Sequence, residues 1–287
     1  MNKTKYFKLV FAIAVAVSFL SLCSCTRKTD EINTAHHNLP PKEVTKKSFQ
    51  KIIDSANVTG SILILDPKEN IYYSNDFEWS RKGFLPASTF KIPNTIIALE
   101  SGAVESDTSL FVWNGEKRSL PEWEKDLTLK EAFRVSCVPC YQEIARKIGT
   151  EKMKDYIGKF NYGKMVIDSA TIDKFWLEGE SAISQKEQID FLKKFYSGEL
   201  SISEKTFLLM KKILIIESNE KYTFSGKTGW SVRNGNNNGW FVGSLETGGK
   251  IFYVATNIIP REDFNMQLFA KIRTQISFEA FKSLNLL

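Results

Sequence analysis

The hydropathy pattern of this 287-residue chain specifies a mixed α+β fold of the α/β type. Its core is a central antiparallel sheet flanked by helices, with an all-helical subdomain inserted in the middle. Three observations lead there. Short strand-like apolar runs lie near both ends of the chain, helical periodicity fills the stretch from about residue 90 to 210, and no internal repeat is present. Distant strands that complete one sheet bring the two parts together, and the cleft between them is a favoured place for a small-molecule site. With 43% hydrophobic and 13% aromatic residues, the chain has enough apolar mass for such a core.

The elements follow in order. Lys3, Lys5 and Lys8 precede an apolar run from Leu9 to Leu22, interrupted by Ser18 and Ser21. The run is short for a membrane span and reads as an export signal over residues 1–24. Leu22-Cys23-Ser24-Cys25 resembles a bacterial lipoprotein box, which implies a lipid anchor at Cys25; ordinary signal cleavage nearby is the alternative. Export to the periplasm is expected either way. Residues 25–42 are polar, contain Pro40-Pro41 and show no period, so they read as a tether. A single domain over 43–287 remains, with an α/β part at 43–80 and 206–287 and a helical part at 81–205.

Within that domain, Phe49, Ile52 and Ile53 form a helical stripe. Gly60 to Asp66 reads as a strand, and Ile71 to Ser74 pairs with it as a hairpin. Ser184 with Glu187 makes a capping box ahead of Ile189, Phe191, Leu192 and Phe195. Strands return at Tyr222–Gly229, Gly239–Glu246 and Lys250–Ile258, with a turn-rich link over Asn234–Asn238. A last helix covers roughly 265–284.

Charge and rare residues exclude several function classes. The formal charge of +6 falls to +3, with 36 basic and 33 acidic residues, once cleavage before Cys25 removes three lysines and no acid. That balance gives no basis for nucleic-acid binding. The two histidines, His36 and His37, both fall in the tether. The domain therefore lacks the base of a Ser-His-Asp or Cys-His site, and no His-ligated metal is expected. Cys137 and Cys140 form a lone C-x-x-C. Without a second pair or a histidine, zinc is not expected; two small buried residues on a helix is the preferred reading, and a disulfide is the alternative.

Three motifs supply a different chemistry. In Ser88-Thr89-Phe90-Lys91, the Ser and Lys share one face at a helix start, where backbone N–H groups can meet an oxyanion. Phe90, Ile92, Ile96 and Ile97 make the lysine's surroundings apolar, and a desolvated amine becomes a neutral base or nucleophile. Ser136-Cys137-Val138 opens the helical stretch from Pro139 to Ile148. Lys227-Thr228-Gly229-Trp230 lies on a strand before the Asn- and Gly-rich link. Each motif is weak alone; in this order, 48 and 91 residues apart, they match the triplet of serine β-lactamases and penicillin-binding proteins.

The variant forms narrow the resemblance. From about Phe49 to the C-terminus the chain resembles the class D, oxacillinase-type serine β-lactamases. The segments that carry it are Pro86–Asn94, Trp113-Asn-Gly, Trp123 with Asp126–Leu129, Ser136–Pro139, Gln142–Arg146, Phe175–Gly179, Lys227–Gly229 and Gly239–Gly243. Val138 stands where class A enzymes and transpeptidases usually carry Asn. The resemblance implies the serine β-lactamase and penicillin-binding-protein transpeptidase fold, with β-lactam antibiotics as substrates. It implies Ser88 as nucleophile and Lys91, carboxylated on its amine by CO2 or bicarbonate, as general base. Trp176 would hold that carbamate under a cover formed by Val138 and Leu177, while Ser136 and Lys227 relay a proton. Ser88 and Trp230 N–H groups would form the oxyanion hole, and Thr228, Gly229 and Arg273 would bind substrate. Arg261 is the competing cation for the substrate carboxylate; its position just after Pro260 reads as a surface loop. One departure from the family is Lys164, in Tyr162-Gly163-Lys164, where the family carries Asn.

Two other classes share these motifs. A β-lactam sensor domain would acylate and release slowly, and usually follows several membrane spans, whereas this chain shows only a signal. A D-alanyl peptidase or transpeptidase is opposed by Val138 and by the modest size.

Overall fold

The computed structural model describes residues 40–287. The export signal, Cys25, His36, His37 and nearly all of the tether lie outside the described residues. Seven strands form one sheet: β1 (Lys42–Thr45), β2 (Val58–Asp66), β3 (Ile71–Ser74), β6 (Ile215–Ser218), β7 (Tyr222–Arg233), β8 (Asn236–Thr247) and β9 (Lys250–Pro260). Their order is β1-β3-β2-β9-β8-β7-β6, so the two ends of the chain meet where β2 pairs with β9. Every pair is antiparallel except β1 with β3. The mixed fold with an antiparallel sheet is thus as expected. The parallel strand β1 was not, because a four-residue polar segment at the edge carries no periodicity.

Both faces of the sheet are buried, which explains why its strands read as continuous apolar runs. Ile62 and Ile64 of β2, with Phe241 and Leu245 of β8, face one core shared with α1 (Lys47–Ser55) and α9 (Phe269–Ser283). Their strand neighbours Leu63, Leu65, Trp240 and Val242 face the other core, built by the inserted helices. Those helices are α2 (Phe77–Arg81), α3 (Lys91–Glu100), α4 (Leu129–Arg134), α5 (Val138–Ile148), α6 (Thr150–Phe160), α7 (Gln185–Ser197) and α8 (Glu204–Leu214). The Ser184–Glu187 capping box at the start of α7 is formed in both directions. A two-residue pair, β4 (Leu110–Phe111) with β5 (Leu127–Thr128), interrupts the helical part.

The link between β7 and β8 is shorter than the sequence implied. Asn234 and Gly235, at φ +51° and +78°, close a two-residue hairpin, and Asn236 to Asn238 continue the strand opposite Arg233 to Ser231. Positive φ at both central positions is what an Asn-Gly hairpin turn requires. The later asparagines stay in the sheet because their side chains find partners: Asn238 and Asn257 exchange two hydrogen bonds at 2.9 and 3.1 Å. The last helix also begins later than expected, behind a 3-10 turn at Met266–Leu268.

The β7–β8 pair depends on glycine at the position opposite Gly226. A Cβ on Gly243 would lie 2.0 Å from the Ser225 carbonyl oxygen. Gly243→Ala is therefore expected to cost about 1–3 kcal/mol or more of stability. An unchanged denaturant midpoint in equilibrium unfolding would contradict this account of the strand pair.

Candidate active site

The first motif is built on strained backbone. Ser88 lies in a 3-10 turn, Ala87–Phe90, that runs directly into α3. Ala87 has φ +50°, a conformation that a residue with a Cβ holds only under constraint. The constraint is visible: Ala87 N–H donates to Trp176 O at 2.8 Å, and Thr89 Oγ1 donates to Pro86 O at 2.7 Å. Gln188 Nε2 in turn donates to Thr89 Oγ1 at 2.8 Å, and Tyr162 O–H donates to Gln188 Oε1 at 2.9 Å. Gln188 escaped the sequence reading. Its only signal is an amide on the buried face of an amphipathic helix. Lys164 is exposed, and its backbone pairs with Ala182. The departure at this position therefore leaves the Tyr162 connection intact.

Lys91 is fully buried and donates from Nζ to Ser88 Oγ at 3.0 Å. Its ammonium position is 5.0 Å from the centre of the Tyr141 ring, and no described carboxylate pairs with it. Burial, and then the nearby Lys227 charge, hold the amine well below the usual lysine range. The Trp176 indole is also fully buried and stacks on Phe90 with ring centres 5.4 Å apart. Among the described residues its N–H finds no hydrogen-bond partner, a costly state for a buried donor.

The second and third motifs meet across the cleft. Ser136, at φ +58°, precedes α5 and accepts a hydrogen bond from Lys227 Nζ at 3.1 Å. Lys227 also donates to Thr228 O at 3.1 Å. Burial first, and Arg273 second, bring its amine down to about 7. Strand β6 pairs with β7 only as far as Ser225, so no strand covers the outer edge of β7 at Lys227–Trp230. This edge approaches the nucleophile turn closely. A Cβ on Gly229 would lie 3.0 Å from Pro86 O and 3.1 Å from Thr89 Cγ2, which accounts for the glycine of the third motif. Val138 and Leu177 are half-buried, and Trp230 is exposed with its indole donating to Asn237 Oδ1 at 2.8 Å.

The two arginines separate cleanly. Arg261 is exposed and pairs with Asp54 at 2.7 Å. Arg273 is buried beside the third motif and donates to the carbonyls of Gly229, Phe269 and Ala270 at 2.5, 3.0 and 3.1 Å. The rings of Trp230 and Phe269 flank its guanidinium, whose pKa burial lowers to about 10. Among the described residues it has no carboxylate partner. Cys137 and Cys140 are joined in a disulfide, so the preferred reading of two free buried cysteines is corrected. Two cysteines at the cap and first turn of one helix are close enough to bond.

The nucleophile turn, two hydrogen-bonded Ser–Lys pairs and an unpaired arginine thus converge on one open strand edge. Residues 55–276 match the family model of the penicillin-binding protein transpeptidase domain. The chain is 38% identical to β-lactamase OXA-10 of Pseudomonas aeruginosa, over 80% of this chain and 87% of that protein. It is also 38% identical to OXA-48 of Klebsiella pneumoniae, over 76% and 82% of the two chains. The crystal structure of a class D β-lactamase from Sebaldella termitidis superposes with a TM-score of 0.81 at 38% identity, covering 86% of this chain and 99% of that one. The chain belongs to the class D β-lactamases. Its fold is that of the transpeptidase domain, and the protein is a β-lactamase, a hydrolase.

A class D site with buried, uncompensated lysines has a consequence for stability. The folded-state pKa of Lys227 is depressed to about 7 from an ordinary value of 10.5. Between those values the unfolded chain holds a proton that the folded chain lacks, so unfolding free energy rises with pH. The slope reaches about 1.4 kcal/mol per pH unit for each lysine so depressed. Lys91 adds a contribution of the same sign. Denaturant unfolding in CO2-free buffer between pH 7.5 and 9 is expected to show this rise. Lys227→Met should reduce the slope, and an unaltered slope would contradict the assignment.

Proposed function

We propose that this enzyme hydrolyses the β-lactam amide bond of penicillin-type antibiotics through a Ser88 acyl-enzyme, with Lys91 carboxylated by CO2 as general base, and so confers antibiotic resistance. The Lys91 amine carries this reading: it is fully buried, has no carboxylate partner among the described residues and lies 3.0 Å from the Ser88 hydroxyl. Carboxylation needs a neutral amine, and the burial of Lys91 supplies one. The residues fit the added group. The unpartnered Trp176 N–H is a donor without an acceptor, and Trp176 stacks on Phe90, the residue next to Lys91. Val138 and Leu177, both half-buried, would cover the modified amine. When bound, CO2 turns the amine into a carboxylate-bearing base.

The chain's own residues perform the remaining steps. Ser88 Oγ attacks the lactam carbonyl and gives up its proton on the side of Lys91. The N–H groups of Ser88, in the unsatisfied first turn of its helix, and of Trp230 receive the oxyanion; one such donor is worth about 3–4 kcal/mol. Ser136 protonates the departing lactam nitrogen and is reprotonated from Lys227, to which it is hydrogen-bonded. Arg273, with Thr228 and Gly229, binds the substrate carboxylate. Water then attacks the acyl-enzyme with the same base. The catalytic unit is the single domain 43–287. We place it in the periplasm on the strength of the N-terminal signal, with Cys25 as the lipidated residue. Among the described residues no helix is long and apolar enough to cross a membrane.

Turnover is the test. Purified protein should hydrolyse a chromogenic cephalosporin catalytically, lose activity on acidification as the Lys91 amine takes up a proton, and regain it with bicarbonate at neutral pH. Lys91→Ala should lower kcat by about 10²–10⁴-fold. Trp176→Phe should lose about 10–100-fold, as expected for a lost hydrogen bond to a charged group, and recover partly in excess bicarbonate. Full activity in Lys91→Ala would overturn the base assignment. A stoichiometric burst with a persistent Ser88 adduct in mass spectrometry would identify a sensor instead.

A further inference from the structure

The disulfide between Cys137 and Cys140 lies against the site but takes no part in the steps above. It spans Val138 and begins one residue after Ser136. Ser136 holds φ +58°, a state that persists only where neighbouring structure enforces it. Several restraints converge on this point. Ser136 N–H donates to Phe133 O at 3.2 Å and Cys137 N–H to Ala132 O at 2.8 Å. The disulfide then ties Cys137, the cap of α5, to the first turn of that helix. A bond that closes so short a loop removes little freedom from the unfolded chain, so its effect is local.

We infer that the Cys137–Cys140 disulfide is a positioning pair for the β-lactamase reaction. It fixes the Ser136 hydroxyl against Lys227 and Val138 at the start of α5, so that full turnover requires the oxidised pair. This inference rests on the proposed roles of Ser136 and Lys227. Both cysteines line a cavity of about 300 Å³ with Trp113, Arg118, Trp123 and Arg146, which gives a small reductant a route to the bond. The lining carries Arg118, Lys125 and Arg146 against Glu116 and Glu143, and a water-soluble tricarboxylate phosphine is the reductant used. Reduction yields two thiols, and the phosphine becomes its oxide with oxygen taken from water.

The test compares oxidised wild type, phosphine-reduced wild type and the Cys137→Ala/Cys140→Ala variant in steady-state hydrolysis of a chromogenic cephalosporin. Alkylation and mass spectrometry of the peptide carrying both cysteines establish the redox state. In either disulfide-free form kcat is expected to fall by about 10–100-fold with KM changed by less than about twofold, the signature of a misplaced catalytic group. The alkaline limb of the kcat profile, set near pH 7 by Lys227 as the proton donor to Ser136, should move upward, because a loosened Ser136 admits water to that amine. A disulfide that merely stabilises the fold would lower the unfolding midpoint and leave that limb in place. If the double variant does not fold, the reduced wild type decides. Unchanged kcat and an unmoved limb in a sample shown to lack the disulfide would overturn the inference. Absence of turnover in the oxidised wild type would instead overturn the β-lactamase reading beneath it.

Discussion

Burial of the Lys91 amine without a carboxylate partner is the constraint around which the molecule is arranged. An ammonium in that position would be costly to desolvate, and the nearby Lys227 charge adds to the cost. The folded state therefore favours the neutral amine, which is the chemically useful form. The same choice weakens the fold, because among the described residues neither lysine has a carboxylate to pair with and protonation is given up on folding. Apolar packing offsets that loss. Phe90, the residue before Lys91, stacks on Trp176, Phe175 lies edge-on to both with ring centres 4.8–5.4 Å apart, and Tyr162 meets Phe90 edge-on.

Strain is distributed in the same way. Two residues with side chains occupy positive φ beside the reacting groups: Ala87 before the nucleophile and Ser136 in the second motif. Each is held by hydrogen bonds to a different element, Ala87 to the Trp176 segment and Ser136 to α4. Both motifs are thereby positioned by structure distant in sequence, and the open edge of β7 closes the arrangement from the third side. Gly229 permits that approach. Gly239 serves the neighbouring position, where a Cβ would meet Arg273 Cδ at 2.9 Å.

Much of this was legible in the residues because the chemistry resides in their identity. Ser88, Lys91, Ser136 and Lys227 form the two hydrogen-bonded pairs, and Arg273, not Arg261, stands beside the third motif. The capping box at Ser184 was readable because both partners lie within one turn. What escaped reading depends on partners far away in the chain. Strand β1 exists only because β3 is there to pair with it, and Gln188 matters only through Thr89 and Tyr162. Asn236 to Asn238 looked like turn residues, because an amide pair with Asn257 across the sheet cannot be seen locally. The Cys137–Cys140 bond is not legible in the sequence, because spacing alone does not choose between thiols and disulfide.

The histidines give the last step. Both lie before the described residues, so the folded domain has no imidazole to titrate near neutral pH. A lysine can serve there only if its environment lowers its pKa by several units, and burial beside other cations does that. Lys227 reaches about 7 under burial and the Arg273 charge, a value that an unperturbed histidine would have had without assistance. Lys227 and Arg273, with no acid paired to either among the described residues, make the cleft complementary to an anion such as the carboxylate of the proposed substrate. The features that weaken the site are those that an anion would relieve. The neutral lysine amine and the complementarity to an anion therefore arise from the same desolvated cluster.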